Sequence, residues 1–325
     1  MNLLITGAAG YLGSNLLKKL VELNREADEK WNIVAADIRE PAIKDPAIVY
    51  VNADVRSTEM NEVMKQYNIE TVVHLASIVT PGKKSDRQFE YSVDVLGTEN
   101  VLKACVENKV KRIVLTSSGA AYGYHPDNAE WIEEDHPIRG NEEFAYSYHK
   151  RLVEELLIDY RNKHPELEQV IFRVGTILGD STNNQITSLF EKRMLIGIAG
   201  SKSPFVFIWD QDVVECLIRG IKGAKTGVFN VAGDGALTID EVSSILRKPV
   251  LRIPAWLLKA VLFIFKRLSF TQYGEEQVNF LRYRPVLDNK KLKQSFGYTP
   301  QLTSKEVFQF FLANRLPGND KHTHM

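Results

Sequence analysis

Three glycines within the first thirteen residues constrain this chain more than any other feature. The segment Thr6-Gly7-Ala8-Ala9-Gly10-Tyr11-Leu12-Gly13 joins a short apolar run, 2–6, to a helix-patterned run, 12–23. Its spacing is G-x-x-G-x-x-G. The first glycine permits a tight turn. The second lets a pyrophosphate approach the backbone, and the third lets the helix pack close to the sheet. The helix start then offers free N–H groups and the positive end of its dipole to phosphate. A strand, this loop and a helix, in that order, predict the opening unit of a dinucleotide-binding sheet.

The alternation continues. Apolar runs at 32–37, 48–53, 71–75, 112–116 and 170–173 read as strands, and helical patterns fall at 58–67, 88–107 and 142–163. Strands that are apolar throughout and separated by helices imply a parallel sheet covered on both faces. Right-handed crossovers make it doubly wound. Beyond Arg173, read as a structural residue at the sheet edge, the pattern turns irregular. A helix is expected at 184–195, and strands at 204–208 and 227–231 are expected to return to the first domain. A helix at 212–221 lies between them, with Asp212 as its cap. From Leu237 the chain reads as mainly helical, broken at Pro249, Pro254 and Pro285. The expected fold class is α/β. A doubly wound parallel (Rossmann) sheet spans 1–175, with 204–232 returning to it. A smaller, mainly helical C-terminal substrate-binding cap takes 176–203 and 233–325.

Composition excludes several classes of function. The 325 residues carry 41 basic and 41 acidic side chains, so no global field recommends nucleic acid. Two distant cysteines, Cys105 and Cys216, rule out a disulfide scaffold and read as reduced core thiols. The N-terminus has no basic, apolar and cleavage-site pattern of a secretory signal. The longest apolar stretch, 253–270, is interrupted by Lys259, Lys266 and Arg267 and falls short of the ~20 clean residues that span a bilayer. A cytoplasmic protein with no transmembrane segment is expected. The terminal His322-Thr323-His324-Met325 reads as a disordered end, and no metal site is expected.

Candidate binding residues fall at strand ends. Around the glycines, Gly7, Ala9, Gly10, Tyr11, Leu12 and Gly13 form the expected phosphate loop. Asp37 ends the second strand, 24 residues after Gly13. A carboxylate there can accept from both adenosine ribose hydroxyls and repels a 2′-phosphate, which favours NAD over NADP. Arg39 pulls the other way, since a guanidinium can hold that phosphate. Ile38 adjoins Asp37. Asp54, followed by Val55, can accept from an adenine amino group. Leu75, Ala76 and Ser77 let the cofactor cross near the backbone, while His74 reads as a packed, hydrogen-bonded histidine. Thr116 lies at the end of the fifth strand.

Candidate reacting residues come later. Tyr146 and Lys150 are four apart on a helix and share a face. An ammonium beside a phenol favours the phenolate. Such a pair suits the proton exchange that accompanies hydride transfer at a carbinol. The fifth strand ends in Thr116-Ser117-Ser118-Gly119, where a serine hydroxyl can hold a substrate oxygen.

At this point the chain resembles an extended short-chain dehydrogenase/reductase of the NAD-dependent epimerase/dehydratase family. Residues 6–13 match T-G-x-x-G-x-x-G, residues 117–123 match S-S-x-x-x-Y-G, and Tyr146 with Lys150 matches Y-x-x-x-K. Residues 94–100 resemble N-V-x-G-T-x-N, and 296–300 resemble the C-terminal G-(Y/W)-x-P element. The resemblance implies Ser118, Tyr146 and Lys150 as the catalytic set, Tyr146 and Lys150 also touching the cofactor, and NAD as that cofactor. Four departures stand out. Asp94 replaces the family's asparagine. Gly119 and Ala120 stand where 4,6-dehydratases carry Asp-Glu. Phe205 falls where UDP-hexose epimerases often carry a diphosphate-binding arginine, and Trp209 falls at the family's histidine.

The leading expectation is an NAD-dependent, nucleotide-sugar epimerase-like oxidoreductase with Tyr146 as acid/base. One alternative is a net dehydrogenase or reductase of a non-sugar carbonyl or secondary alcohol. Its motivation is an aromatic and aliphatic cap of Phe205, Phe207, Trp209 and 256–265. Another is a non-catalytic dinucleotide sensor. The expected partners are a small-molecule substrate, a nucleotide sugar among the candidates, and a second copy pairing helices near 93–107 and 145–160.

Overall fold

A computed structural model describes residues 1–27, 30–41, 44–79, 86–268 and 274–315. The first half runs β1 (Asn2–Thr6), α1 (Tyr11–Glu26), β2 (Asn32–Asp37), β3 (Ile48–Asn52), α2 (Glu59–Gln66), β4 (Thr71–His74), α3 (Arg87–Tyr91), α4 (Gly97–Glu107), β5 (Arg112–Ser118) and α5 (Ala145–Lys163). The remainder runs β6 (Glu168–Val174), β7 (Thr176–Leu178), α6 (Gln185–Glu191), β8 (Leu195–Ile198), β9 (Phe207–Trp209), α7 (Asp210–Lys222), β10 (Gly227–Val231), α8 (Ile239–Leu246), β11 (Val250–Ile253), α9 (Ala255–Arg267), α10 (Glu276–Arg282) and α11 (Ser304–Arg315). The terminal residues 322–325, read above as a disordered end, lie outside the described residues.

Seven strands make one parallel central sheet in the order β10-β6-β5-β4-β1-β2-β3. β1 pairs in parallel with β2 on one side and β4 on the other. The chain winds outward from β1 to β3, then crosses back to β4 and onward. This is the doubly wound arrangement, and the carboxyl ends of β1 and β4 flank its switch point. The strands are apolar on both faces because helices cover both. Leu3, Leu4 and Ile5 of β1 and Val72 and Val73 of β4 are fully buried. α1 turns Leu16, Leu17, Leu20 and Val21 inward. Each such side chain contributes roughly 1.5–3 kcal/mol when removed from water.

The chain divides into two compact units. The first takes Met1–Ala121, Ile138–Arg173 and Val213–Phe229. The second takes Tyr122–Pro137, Val174–Asp212 and Asn230–Met325. In the second unit β7 pairs with β9, and β8 pairs with β11. The strand expected at 204–208 therefore does not return to the main sheet. It forms as β9 against β7, while β10 alone returns. Its aromatics are core. Phe190, Phe205, Phe207 and Phe308 stack in one cluster, with ring centroids 5.0–6.1 Å apart.

Two single-residue expectations change. Asp212 does not cap the following helix. It lies inside α7, and its Oδ1 accepts the Tyr298 hydroxyl at 2.5 Å and the Gln301 N–H at 3.0 Å. Arg173 is not at a sheet edge, because β10 lies outside β6. It is buried against Glu154, with Nη2 2.6 Å from Oε2. Glu154 Oε1 also accepts the Ser117 hydroxyl at 2.6 Å, so α5, β5 and β6 meet at one buried carboxylate. Cys105 and Cys216 are both fully buried, and burial pushes the Cys105 thiol up.

Candidate active site at the carboxyl ends of the central strands

β1 hands over to Gly7, whose φ of 69° lies in the left-handed region. A Cβ there would also come 2.6 Å from the Ala76 nitrogen, so no side chain fits. The Gly10 N–H donates to the Gly7 carbonyl at 3.0 Å, closing the turn. A Cβ on Gly13 would collide with that same carbonyl, and its absence lets α1 seat against the loop. α1 starts with no capping side chain and no acidic residue in its first turn. An uncapped helix start presents its positive dipole end to an anion. The cradle fits a dinucleotide pyrophosphate.

The second strand end joins this loop directly. Asp37 accepts the Ala9 N–H at 3.0 Å on one oxygen and the Arg39 N–H at 2.9 Å on the other. The Arg39 guanidinium comes within 3.4 Å of the same carboxylate while remaining exposed, as is Ile38. Asp54 is already paired. Arg56 contacts both its oxygens, the closest at 2.6 Å, and holds the carboxyl below the ordinary range. Val55 is buried and packs over Gly97. After β4, the Leu75 N–H donates to the Thr6 carbonyl at 3.1 Å. That bond carries Leu75, Ala76 and Ser77 along the glycine loop.

The candidate reacting residues lie on α5 and β5. Lys150 is buried, donates to the Ser77 hydroxyl at 3.0 Å and lies 5.6 Å from the Tyr146 ring centroid. The first turn of α5 is pinned by Ser147, whose hydroxyl donates to the Ala120 carbonyl at 2.6 Å and accepts the Asn141 N–H at 3.1 Å. Ser118, which follows Thr116 by two residues, accepts the Ala120 N–H at 3.1 Å. One residue, Ala120, thus ties the serine strand end to the start of the tyrosine helix. The arrangement offers a phenol, an ammonium and a hydroxyl for proton exchange at a carbinol or carbonyl.

Sequence reasoning missed the layer beneath. Asp94, in the π-turn Ser92–Leu96, is buried and accepts the Ile78 N–H at 2.8 Å. The buried His149 Nδ1 stands 3.6 Å from its other oxygen, beyond hydrogen-bond length but within ion-pair reach. Burial alone would raise the Asp94 carboxyl. The neighbouring His149, the Lys150 charge and the Ile78 and Ser77 donors outweigh burial and hold it below its ordinary value.

His74 proves to be the packed histidine expected. Its Nδ1 lies 2.7 Å from the Thr6 hydroxyl and its Nε2 3.0 Å from the Thr98 hydroxyl. Thr98 spends its own proton on the Asp94 carbonyl at 2.6 Å. Nε2 is therefore the donor and Nδ1 the acceptor, so the neutral ring is fully satisfied. Burial first, then the Lys150 charge, push the imidazole down to about 4. In the unfolded chain it titrates near the ordinary value of 6.5. Its contribution to stability is complete above that pH and is lost as pH falls towards 4. The total is roughly 3 kcal/mol. Urea melts between pH 7 and 4 should show this slope, and His74→Gln should flatten it.

The second unit holds a further residue the motifs did not signal. Arg284 is partly buried, and desolvation pushes its guanidinium down to about 9, still charged at neutral pH. The guanidinium stacks 3.9 Å over the Phe205 ring and donates to the Ser203 carbonyl at 3.3 Å. It forms no ion pair among the described residues. The aromatic at position 205 thus supports an arginine from elsewhere in the chain.

Comparison with known proteins follows the same lines. The sequence is 25% identical over 321 residues to a putative UDP-glucose 4-epimerase of Methanocaldococcus jannaschii, covering 94% of this chain and 95% of that one. It is 27% identical over 263 residues to UDP-glucuronic acid decarboxylase 6 of Arabidopsis thaliana, covering 76% of this chain and 74% of the other. Among solved structures, a UDP-glucose 4-epimerase of Thermotoga maritima with UDP-glucose superposes with a TM-score of 0.74 at 17% identity, covering 97% and 98% of the two chains. Bordetella bronchiseptica WbmG, solved with NAD and UDP, gives 0.73 at 20% identity, covering 96% and 93%. At these identities the superpositions establish the fold. The profile of the NAD dependent epimerase/dehydratase family matches residues 3–232. The chain belongs to the NAD dependent epimerase/dehydratase family, whose members are extended short-chain dehydrogenase/reductase enzymes that take NAD as cofactor.

Proposed function

We propose that the protein is an epimerase-type oxidoreductase acting on a nucleotide sugar, with Tyr146 as the acid/base. When bound, NAD supplies the acceptor and donor of hydride at the sugar carbon. Tyr146 takes the hydroxyl proton as the carbonyl forms and returns it as the hydroxyl is restored. Lys150, held by Ser77, stands beside the phenol. Ser118 holds the substrate oxygen. The observation that carries this reading is the buried Lys150 beside Tyr146 at the strand ends that also hold the glycine cradle.

Arg284 supports a phosphate-bearing substrate. Its partly buried guanidinium has no ion-pair partner among the described residues, and a phosphate supplies one. The nucleotide-sugar relatives point to the same class. The apolar-substrate alternative loses its motive at Phe205 and Phe207, which are core. A dinucleotide sensor would have no use for an anchored lysine at a reacting end. The homodimer belongs to this reading as well. Leu96, before α4, and Ile158 on α5 are exposed apolar residues on the expected faces, and sedimentation velocity tests the pairing.

Incubation with UDP- and GDP-hexoses tests the function. Sugar inversion without net NADH accumulation is expected. Stoichiometric change in NADH absorbance, or no turnover of any nucleotide sugar, would overturn it. Arg284→Leu should weaken nucleotide-sugar binding by roughly 10- to 100-fold, the worth of a charge-assisted contact. Its melting temperature should hold, because the charge removed is only partly buried and joins no ion pair among the described residues.

A further inference from the structure

One helix of the second unit is built the wrong way round for a water-facing surface. α9, Ala-Trp-Leu-Leu-Lys-Ala-Val-Leu-Phe-Ile-Phe-Lys-Arg, has no buried residue. Its Trp256 is 72% exposed, and Leu257, Val261, Phe263, Ile264 and Leu268 are exposed with it. Lys259 and Lys266, seven apart and therefore on one stripe, lie off this apolar face. Lys266 reaches back to Glu276 of α10 at 3.5 Å. Exposed apolar residues also stand on the strand before the helix. β11 leads into α9, and there Leu251 pairs in register with Ile196 of β8, both nearly half exposed. Monomeric surfaces rarely leave so much contiguous apolar area to water.

The charge around the patch says what covers it. Between Glu241 and Glu275 the chain carries Arg247, Lys248, Arg252, Lys259, Lys266 and Arg267 and not one acidic residue, in a protein of net charge zero. Arg252 is paired with Asp240 and Lys266 with Glu276. Arg247, Lys259 and Arg267 form no ion pair among the described residues. A second copy fits poorly. A two-fold contact would lay the patch on itself and bring these cations onto like charges. An anionic lipid surface complements both parts, taking the apolar side chains below the headgroups and the cations among them. Tryptophan at the helix start suits that boundary. No helix among the described residues is long and apolar enough to cross a membrane. Thirteen residues span about 20 Å, so α9 lies in the plane.

We propose that α9 is an interfacial anchor that seats the protein on an anionic phospholipid surface. Co-sedimentation of the full-length protein with vesicles of phosphatidylcholine, with and without phosphatidylglycerol, tests this. Binding to the anionic vesicles is expected, weakened by salt, with a blue shift in tryptophan emission that Trp256→Phe removes. Phe263→Glu with Ile264→Glu should lower the partition about tenfold or more. The melting temperature should hold, because both side chains face outward. Lys259→Gln with Arg267→Gln should lower partition into anionic vesicles by about fivefold per charge and leave the neutral ones unaffected. Should the double glutamate variant fail to fold, the charge variant and the emission shift decide. Wild-type protein that ignores anionic vesicles overturns the proposal. So does a wild-type dimer that the double glutamate variant splits while vesicle binding is absent, since the occupant is then a second copy.

Discussion

Tyr146→Phe is expected to lower kcat by about 100- to 10,000-fold, the usual worth of a positioned acid/base. The substitution removes one oxygen and keeps the ring, so packing beside Lys150 survives. NAD should bind as before, because on the proposed reading its phosphates rest on the glycine loop and the α1 N-terminus, which the substitution leaves intact. Lys150→Ala should cost a comparable factor, since Lys150 Nζ is the cation beside the phenol and is held by Ser77 at 3.0 Å. Single-turnover rates with a nucleotide sugar, set beside NAD binding by thermal shift, separate chemistry from cofactor loss. A Tyr146→Phe enzyme that kept more than about a tenth of wild-type kcat would remove the phenol from the proton path.

The largest expected loss of stability lies one turn further along the same helix. Glu154→Ala leaves the Arg173 guanidinium buried without its carboxylate and deprives the Ser117 hydroxyl of its acceptor. Removing one partner of a buried ion pair costs about 3–5 kcal/mol. Urea unfolding at neutral pH should show that loss, with a lower midpoint and an unchanged slope. Replacing both charges, Glu154→Leu with Arg173→Met, should regain most of it, because the stranded charge is gone. A Glu154→Ala protein within about 1 kcal/mol of wild type would mean that water reaches Arg173 and screens it.

The parts legible in the sequence were those whose signal is local. The glycine spacing, the tyrosine and lysine four apart, and the unbroken apolar strands each fit within one or two turns of chain. Local sterics and periodicity decide them. The parts that were not legible depend on distant partners. Asp94 and His149 lie 55 positions apart, and Arg284 meets Phe205 across 79. No window of sequence holds both members. Strand 204–208 showed its extended character but not its neighbour, and β7, a three-residue strand, gave little pattern to read. Asp212 had the residue type of a cap. Tyr298, 86 residues later, had claimed its oxygen.

Tyr146, Lys150 and Glu154 recur at intervals of four, so a single stripe of α5 carries the proposed proton chemistry at one end and a buried anchor at the other. Mechanism and architecture are therefore inherited together. A change that loosened the anchor would also misplace the phenol, whereas side chains off that stripe can drift without disturbing either. Sequence divergence is expected to accumulate there, with that stripe of α5 staying nearly constant.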